Sequence, residues 1–575
     1  MQIRQVTVQY FKGIASLDWK PGGPFCCLIG SGDVGKTTVL DAIEATLSPR
    51  WLSFMEADFL DCDASNAIQV DVTLGELSSE LKSDERFGLY VRGWTNVNVL
   101  RDEPVDDDEP VLTVRLTVDA TMEPVWELVC ERSDRPRILS NRDRSLFGLV
   151  RLSGTDARHL SWGQGSVLAR LTDNTAETAL RLSGAYRTAR DNADFSDIPE
   201  LTESAKAAEK TAKSLGAYVN GSYQPGLELG RSGFSSGSIA LHDDGIPLRQ
   251  AGLGTKRLAT LAIQKSGIPE GAILLIDEIE HGLEPHRIIG AISQIKRDQK
   301  SNAEEGKPLG QILMSTHSDV ALGEAGGPSL RILKRDQVSR KMDIISVSKP
   351  ELLKPILRFA PNALLARRIL VLEGRTEVGI FLGIKEFWPA GHDEIPIEQL
   401  GATLVDGNGD EAPSIALAFH ELGYQVCLFR DSDTDLREDK LKGLNDADVP
   451  VIEYVDKIHT EQALFLAADD AMVQRLLEFV ITEREPNSVA ASIASKVEGL
   501  SEIAAQEPFS TWGEKSQFDG PALRRIVGEV AAKKKWFKEQ RIGREVSPLV
   551  WDAMLANEGS DLSQAFRKVE NWLYG

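Results

Sequence analysis

Two groups of residues in this chain have the types and spacing for chemistry on phosphate. The first is Gly30-Ser31-Gly32-Asp33-Val34-Gly35-Lys36-Thr37-Thr38. A G-x-x-x-x-G-K-[ST] run turns backbone N–H groups toward phosphate oxygens, while its lysine reaches the β- and γ-phosphates and its hydroxyl holds Mg²⁺. Lys36 and Thr37 take those roles. Asp277-Glu278 and His317 belong with them. Asp277 would bind the same ion through water, and Glu278 is the candidate base for the attacking water. His317 stands where a γ-phosphate sensor would lie.

The second group is acidic. Residues 429–435 read Phe-Arg-Asp-Ser-Asp-Thr-Asp, with Asp431, Asp433 and Asp435 on alternate positions. Like charges this close repel unless water, a cation or basic groups screen them. A calcium loop also begins D-x-D-x-D, but it needs Gly at its sixth position and Glu at its twelfth. Leu436 and Lys442 stand there, which excludes it. Taken alone, the run also reads as a solvated loop with acidic helix caps. Asp435 keeps that reading, as a cap for a helix beginning near Leu436.

The elements that must position these residues are legible. Residues 25–29 are a continuous apolar strand entering the glycine-rich loop, and helical spacing follows from 39 to 47. Residues 272–276 form an apolar strand ending in Asp277, and 311–315 form another before His317. Residues 68–132 alternate as an antiparallel sheet lobe. Residues 160–215 read as a helical insert or dimerisation arm, and Gln164 is a candidate glutamine-loop residue. Residues 329–350 read as a closing strand and linker. From 366 a new pattern begins: strands at 368–372, 402–405 and 424–429 alternate with helices at 378–387 and 414–422. Such alternation predicts a small parallel sheet, whose sites form at the carboxyl ends of the strands. Glu373, Asp406, Asp431 and Asp433 all fall there, so the acidic run is not isolated.

The bulk numbers bound the rest. A chain of 575 residues implies about three to four domains. Its composition, 42% apolar and 26% charged, is that of a soluble protein. No stretch approaches the roughly 18 apolar residues of a membrane helix, and the N-terminus alternates rather than showing a leader pattern. Five cysteines without CxxC spacing fit a reducing, cytoplasmic location. The net charge of −22 argues against sequence-blind binding along nucleic acid. Residues 521–546 are a local exception, with eight basic against three acidic residues around Trp536 and Phe537. That run reads either as a solvated amphipathic helix or as a groove for a nucleic-acid backbone.

The order of the first-half motifs resembles the ABC-type ATPase heads of the SMC, RecF and Rad50 group. Residues 281–285, His-Gly-Leu-Glu-Pro, are similar to their D-loop. Gly252 and Gly254 sit where their signature motif sits, although only the paired glycines are kept. In such heads ATP lies between two protomers, so the resemblance implies a homodimer at least. Glu373-Gly374 after the first strand of the second half and Asp431-Ser-Asp433 after the third resemble a Toprim domain. That resemblance implies two Mg²⁺ or Mn²⁺ ions; a pair about 4 Å apart stabilises the attacking and leaving oxygens of a phosphodiester. Asp431, Asp433 and Glu373 are the expected ligands, and Glu373 doubles as acid/base.

A head followed by Toprim resembles the OLD (overcoming lysogenization defect) family of nucleases. The resemblance adds Glu377, from Glu-Gly-x-Thr-Glu, and Glu461, from His459-Thr-Glu461, to the metal set, with Asp406 beside them. It also implies a catalytic lysine in a C-terminal helical region, where Lys535 and Lys538 are both candidates. The expected architecture is α/β and multidomain: an ATPase head over 1–350, a Toprim domain over 366–475 and a helical region over 476–575. The expected activity is ATP-controlled, metal-dependent cleavage of DNA, with RNA left open, in defence against phage. A helicase-like partner, as in Gabija systems, is implied by the same family. The alternative is a RecF-like DNA-binding ATPase with an inactive Toprim.

Overall fold

The computed structural model describes residues 1–575 apart from 84, 134, 153–156, 164–165, 173–194, 228–238 and 268–270. Gln164 and residues 173–194 of the expected insert lie outside the described residues. Within that insert, Pro199–Ser214 is a helix with proline at its start and alanines on its buried side. The chain divides into two compact units, Met1–Ser348 and Lys349–Gly575.

The first unit is built on one mixed sheet. Its parallel part runs in the order Leu149–Leu152, Ile273–Ile276, Gln311–Ser315, Phe25–Ile29, Leu330–Arg335. These strands are short apolar runs, as sheets covered on both faces require. Leu330–Arg335 pairs directly with the strand that enters the glycine-rich loop. It is therefore an inner strand of the sheet, although it stands near the end of the unit in the chain. Its first four residues are buried, which suits an inner position. Ile68–Gly75 and Glu109–Val118 are antiparallel, and they continue the same sheet through Gln2–Phe11.

The second unit has a four-stranded parallel sheet in the order Ala402–Asp406, Arg368–Leu372, Gln425–Phe429, Val451–Ile452. The register is flush: Leu372 stands level with Asp406 on one side and Phe429 on the other. The residues that follow these strands therefore emerge along one edge. Helix Arg375–Ile384 starts three residues earlier than spacing suggests, because the Glu377 carboxylate accepts the Gly374 N–H at 3.1 Å and caps that turn. After the third strand the helix spans Glu438–Asp446, with Arg437 as its cap residue. Asp435 thus caps nothing; it bonds the Lys457 ammonium at 2.5 Å.

Residues 366–475 and 476–575 share one hydrophobic core. Phe381 stacks on Phe566 at 4.4 Å and meets Phe429 edge-on at 4.9 Å, joining sheet, first helix and last helix. Helix Arg375–Ile384 crosses Gln540–Ala556 backbone against backbone. A Cβ on Gly379 would lie 2.6 Å from the Gln540 carbonyl oxygen and 2.9 Å from Gly543 Cα. Neither atom is a flexible side chain that could swing away. Gly379→Val is therefore expected to destabilise the second unit by about 1–3 kcal/mol or more. Gly391→Ala, where nothing lies within 4 Å, should stay within about 0.5 kcal/mol. Thermal or denaturant unfolding of the two variants checks this, and equal effects would refute the crossing.

Candidate nucleotide and metal sites

In the first unit the glycine-rich loop joins the strand Phe25–Ile29 to helix Lys36–Leu47. Gly35 has φ 105°, and a Cβ there would meet the Met342 Cε at 2.6 Å, so only glycine fits. Ser31, Gly32, Asp33 and Val34 make the turn, and Thr38 lies in the first helical turn. Lys36 is 5% exposed, and its ammonium donates to the carbonyls of Gly30 (3.0 Å) and Ser31 (3.1 Å). Burial pushes it down to about 8, against the pull of Glu280, Glu278, Asp277 and Asp33.

Asp277, at the end of Ile273–Ile276, is the hub of this site. Its Oδ1 accepts from Thr37 Oγ1 at 3.3 Å and from the Ser315 hydroxyl. Its Oδ2 accepts from Arg151 at 2.9 Å. Arg151 also donates to Asp41 (2.5 Å) and Glu44 (2.8 Å) on the helix after the loop. The two expected Mg²⁺ ligands, Thr37 and Asp277, are thus in contact. Glu278 is exposed with φ 44°, and its N–H donates to Ser315 Oγ at 2.9 Å. His317 is exposed; its N–H donates to Glu280 at 2.6 Å, and Glu280 also takes the Thr316 hydroxyl at 2.6 Å.

Glu280 and Arg151 escaped the sequence reading. Glu280 had a signal, being the third acid of Asp-Glu-Ile-Glu; Arg151 had none, lying 126 residues from Asp277. Gly252 and Gly254 begin helix Leu253–Ser266. A Cβ on Gly254 would sit 2.8 Å from the Gly282 carbonyl oxygen, so this turn packs on residues 281–285. Among the described residues no hydrogen bond joins it to the glycine-rich loop.

The second unit gathers acids at the strand ends. Glu373 Oε2 accepts the Asp431 N–H at 3.1 Å and faces Arg430 Nε at 3.7 Å. Arg430 is 5% exposed and also donates to Glu453 (3.0 Å) and the Thr434 carbonyl (2.7 Å). His459 Nδ1 lies 3.4 Å from Asp431 and 3.5 Å from Asp433. The ligand atoms of Asp431, Asp433 and His459 all fall within 4.8 Å of one another. Ser432 fixes this meeting: its N–H donates to the Ile458 carbonyl at 3.1 Å and its hydroxyl to that of Asp456. In sequence His459 is only the residue two before Glu461; its place beside both aspartates is a tertiary fact.

Glu377 and Glu461 open two helices and are buried. Burial raises the Glu377 carboxyl to about 8, with Glu461 adding to the rise. Glu461 is raised for the same first reason, with His459 and Lys538 pulling the other way. Burial also raises Asp431 and Glu373; Asp433, Glu373 and Glu377 push Asp431 further up, and Arg430 opposes the rise of Glu373. Asp433 goes down, because the Asp431 carboxyl and His459 outweigh its partial burial.

Asp431 Oδ1 is buried without a hydrogen-bond partner, an atom that needs a donor or a cation. Carboxylate oxygens suit Mg²⁺ or Mn²⁺, and an imidazole nitrogen suits transition metals, so the residues present fit a divalent ion such as Mn²⁺.

One expected ligand, Asp406, has no described link to the cluster. Asp406 is exposed and accepts the Asn408 N–H at 2.9 Å. No described hydrogen bond or ion pair links it to the cluster, because its strand is the outer one and its own turn claims it. Lys535 sits in a left-handed turn, φ 56°, with its carbonyl bonded by Arg484. Lys538, three residues on, has a charge that opposes the rise of Glu461.

Comparison with known proteins agrees in outline. Residues 171–323 match the family model described as "AAA domain, putative AbiEii toxin, Type IV TA system". A curated relative, the "OLD nuclease" of Thermus scotoductus (strain ATCC 700910 / SA-01), is 24% identical over 373 residues. The match covers 59% of this chain and spans 63% of the relative's length. Among solved structures, the SMC head domain from Thermotoga maritima aligns with all of its chain and 60% of this one. The identity is 13% and the TM-score 0.31, too low to weigh on the fold.

The raised Glu377 carboxyl sets a pH dependence. A folded-state value of about 8 against an ordinary 4.5 means the native state holds a proton that the unfolded chain has released. Its contribution to stability is full below the lower value and is lost as pH rises through the upper one. Without metal, the melting temperature of the protein is expected to fall from pH 5 to pH 8. Glu377→Gln should flatten that slope, and an unchanged slope in the variant would refute the assignment.

Proposed function

We propose that this chain is an ATP-binding, divalent-metal-dependent nuclease similar to the OLD family, with a Toprim-like second unit. The observation that carries this reading is the meeting of Asp431, Asp433 and His459 beside Glu373, Glu377 and Glu461, at the carboxyl edge of a parallel sheet. The nucleotide loop in the same chain, and the similarity to a protein named a nuclease, support it. DNA is the proposed substrate, with RNA tested alongside. Defence against phage with a helicase-like partner is part of the proposal. So is a homodimer in which the turn at Gly252 faces the partner's nucleotide; Gly252 and Leu253 are exposed, whereas Gly254, expected beside them, is buried against Gly282 and does not face outward.

Two Mg²⁺ or Mn²⁺ ions would supply an activated water and charge neutralisation at the scissile phosphate. Asp431, Asp433 and His459 would hold one, and Glu373, Glu377 and Glu461 the other. Arg430 orients Glu373, leaving it as ligand or proton acceptor. Lys538 brings a positive charge that stabilises the phosphate as negative charge develops. In the first unit, Lys36 leaves the loop carbonyls for phosphate oxygens, and Glu278 directs the hydrolytic water. Cleavage of a phosphodiester needs no ATP energy, so the nucleotide acts as a control.

Plasmid and RNA cleavage with Mg²⁺ or Mn²⁺ tests the reading. Asp431→Ala should lose on the order of 100-fold in rate or more, since even groups supporting metal ligands are worth about 10–100-fold. Lys538→Ala should lose far more than Lys535→Ala. Lys36→Ala and Glu278→Gln should alter the response of cleavage to ATP. A wild-type chain that cuts neither polymer would leave a nucleotide-binding protein and sink the nuclease reading.

A further inference from the structure

A cavity of about 330 Å³ has Glu373 in its wall and so adjoins the acidic cluster. It lies within the roughly 300–1,000 Å³ of ordinary ligand sites. Leu428, Pro413 and Ala412 give it an apolar side, and Arg437 and Lys440 line it from the segment after the third strand. Most of its charges are already committed. Glu373 faces Arg430 and the Asp431 N–H, Arg437 pairs with Asp439 at 3.2 Å, and Asp435 bonds Lys457.

Lys440 is different. It is half-buried, it lines the cavity, and its ammonium has no hydrogen bond or ion pair among the described residues. Asp410, exposed in the lining, is likewise without a described partner.

We propose that this cavity is a substrate subsite, resting on the nuclease reading. It takes the nucleotide next to the scissile phosphodiester, with Lys440 on that nucleotide's phosphate and the apolar side against its sugar and base. An ammonium left without a counter-ion beside apolar side chains is a place for an anion, because it is partly stripped of water and otherwise unneutralised. The shared wall at Glu373 makes that anion the phosphate next along the strand from the one being cut. Asp410 is the lining group that would repel it.

The test is plasmid cleavage kinetics with Mn²⁺ across a salt series. Lys440→Ala should raise KM about tenfold, the loss expected of one charge-assisted hydrogen bond, with a smaller change in kcat. The slope of log(kcat/KM) against log[salt] should become shallower by about one, as for one lost phosphate contact. Lys440→Arg should restore most of both, and Asp410→Asn should lower KM. If the wild type cuts DNA while Lys440→Ala keeps its KM and salt slope, the subsite is wrong and the nuclease reading stands. A fall in kcat at constant KM also overturns it, by placing Lys440 in the chemistry. A wild type that does not cut overturns the nuclease reading and the subsite together.

Discussion

The second unit depends on one electrostatic constraint: several carboxylates are crowded along one sheet edge, some buried and the rest only partly open to water. Glu377 and Glu461 are buried outright, and Asp431 carries an oxygen with no partner. Burial and like charge push in the same direction there, toward protonation or toward a cation. The surroundings supply partial compensation. Arg430 leans on Glu373, the Asp431 and Gly374 N–H groups point at carboxylates, and His459 sits between two aspartates. None of these neutralises the cluster, and a divalent ion would complete it.

That constraint explains features remote from it. Helix Arg375–Ile384 carries Glu377, and helix Gln540–Ala556 follows directly after Lys538. Both must reach the same corner, which the Gly379–Gly543 crossing permits by letting two backbones touch. Phe381, Phe429 and Phe566 then fix the sheet to the last helix. The C-terminal helices are therefore part of the site's scaffold, sharing its core instead of forming an appended domain. The nucleotide site follows the same logic on a smaller scale. Asp277 is held at a strand end by Thr37, Ser315 and Arg151, donors from three separate segments.

How much was legible depended on whether a signal was local. The glycine-rich loop and the acids closing each strand could be read because strand, turn and ligand are contiguous. Arg151 and Arg430 could not, because an arginine in a strand or at its end has many fates and only packing selects one. Asp435 and Asp406 look like their neighbours in sequence, yet a lysine at 457 and the turn at 408 claim them. Lys535 and Lys538 are indistinguishable by spacing, since both stand in one short basic run.

The sequence alone determined which residue types stand at which strand ends, and so the class of chemistry each unit can support. Apolar runs and turn residues act through the chain's own neighbours, and they carry that information without a fold. Only the tertiary structure decided which acids meet and that His459 joins two aspartates. Those outcomes rest on sheet register, on a glycine-to-glycine helix crossing and on burial. They are long-range terms, and no window of the sequence contains them.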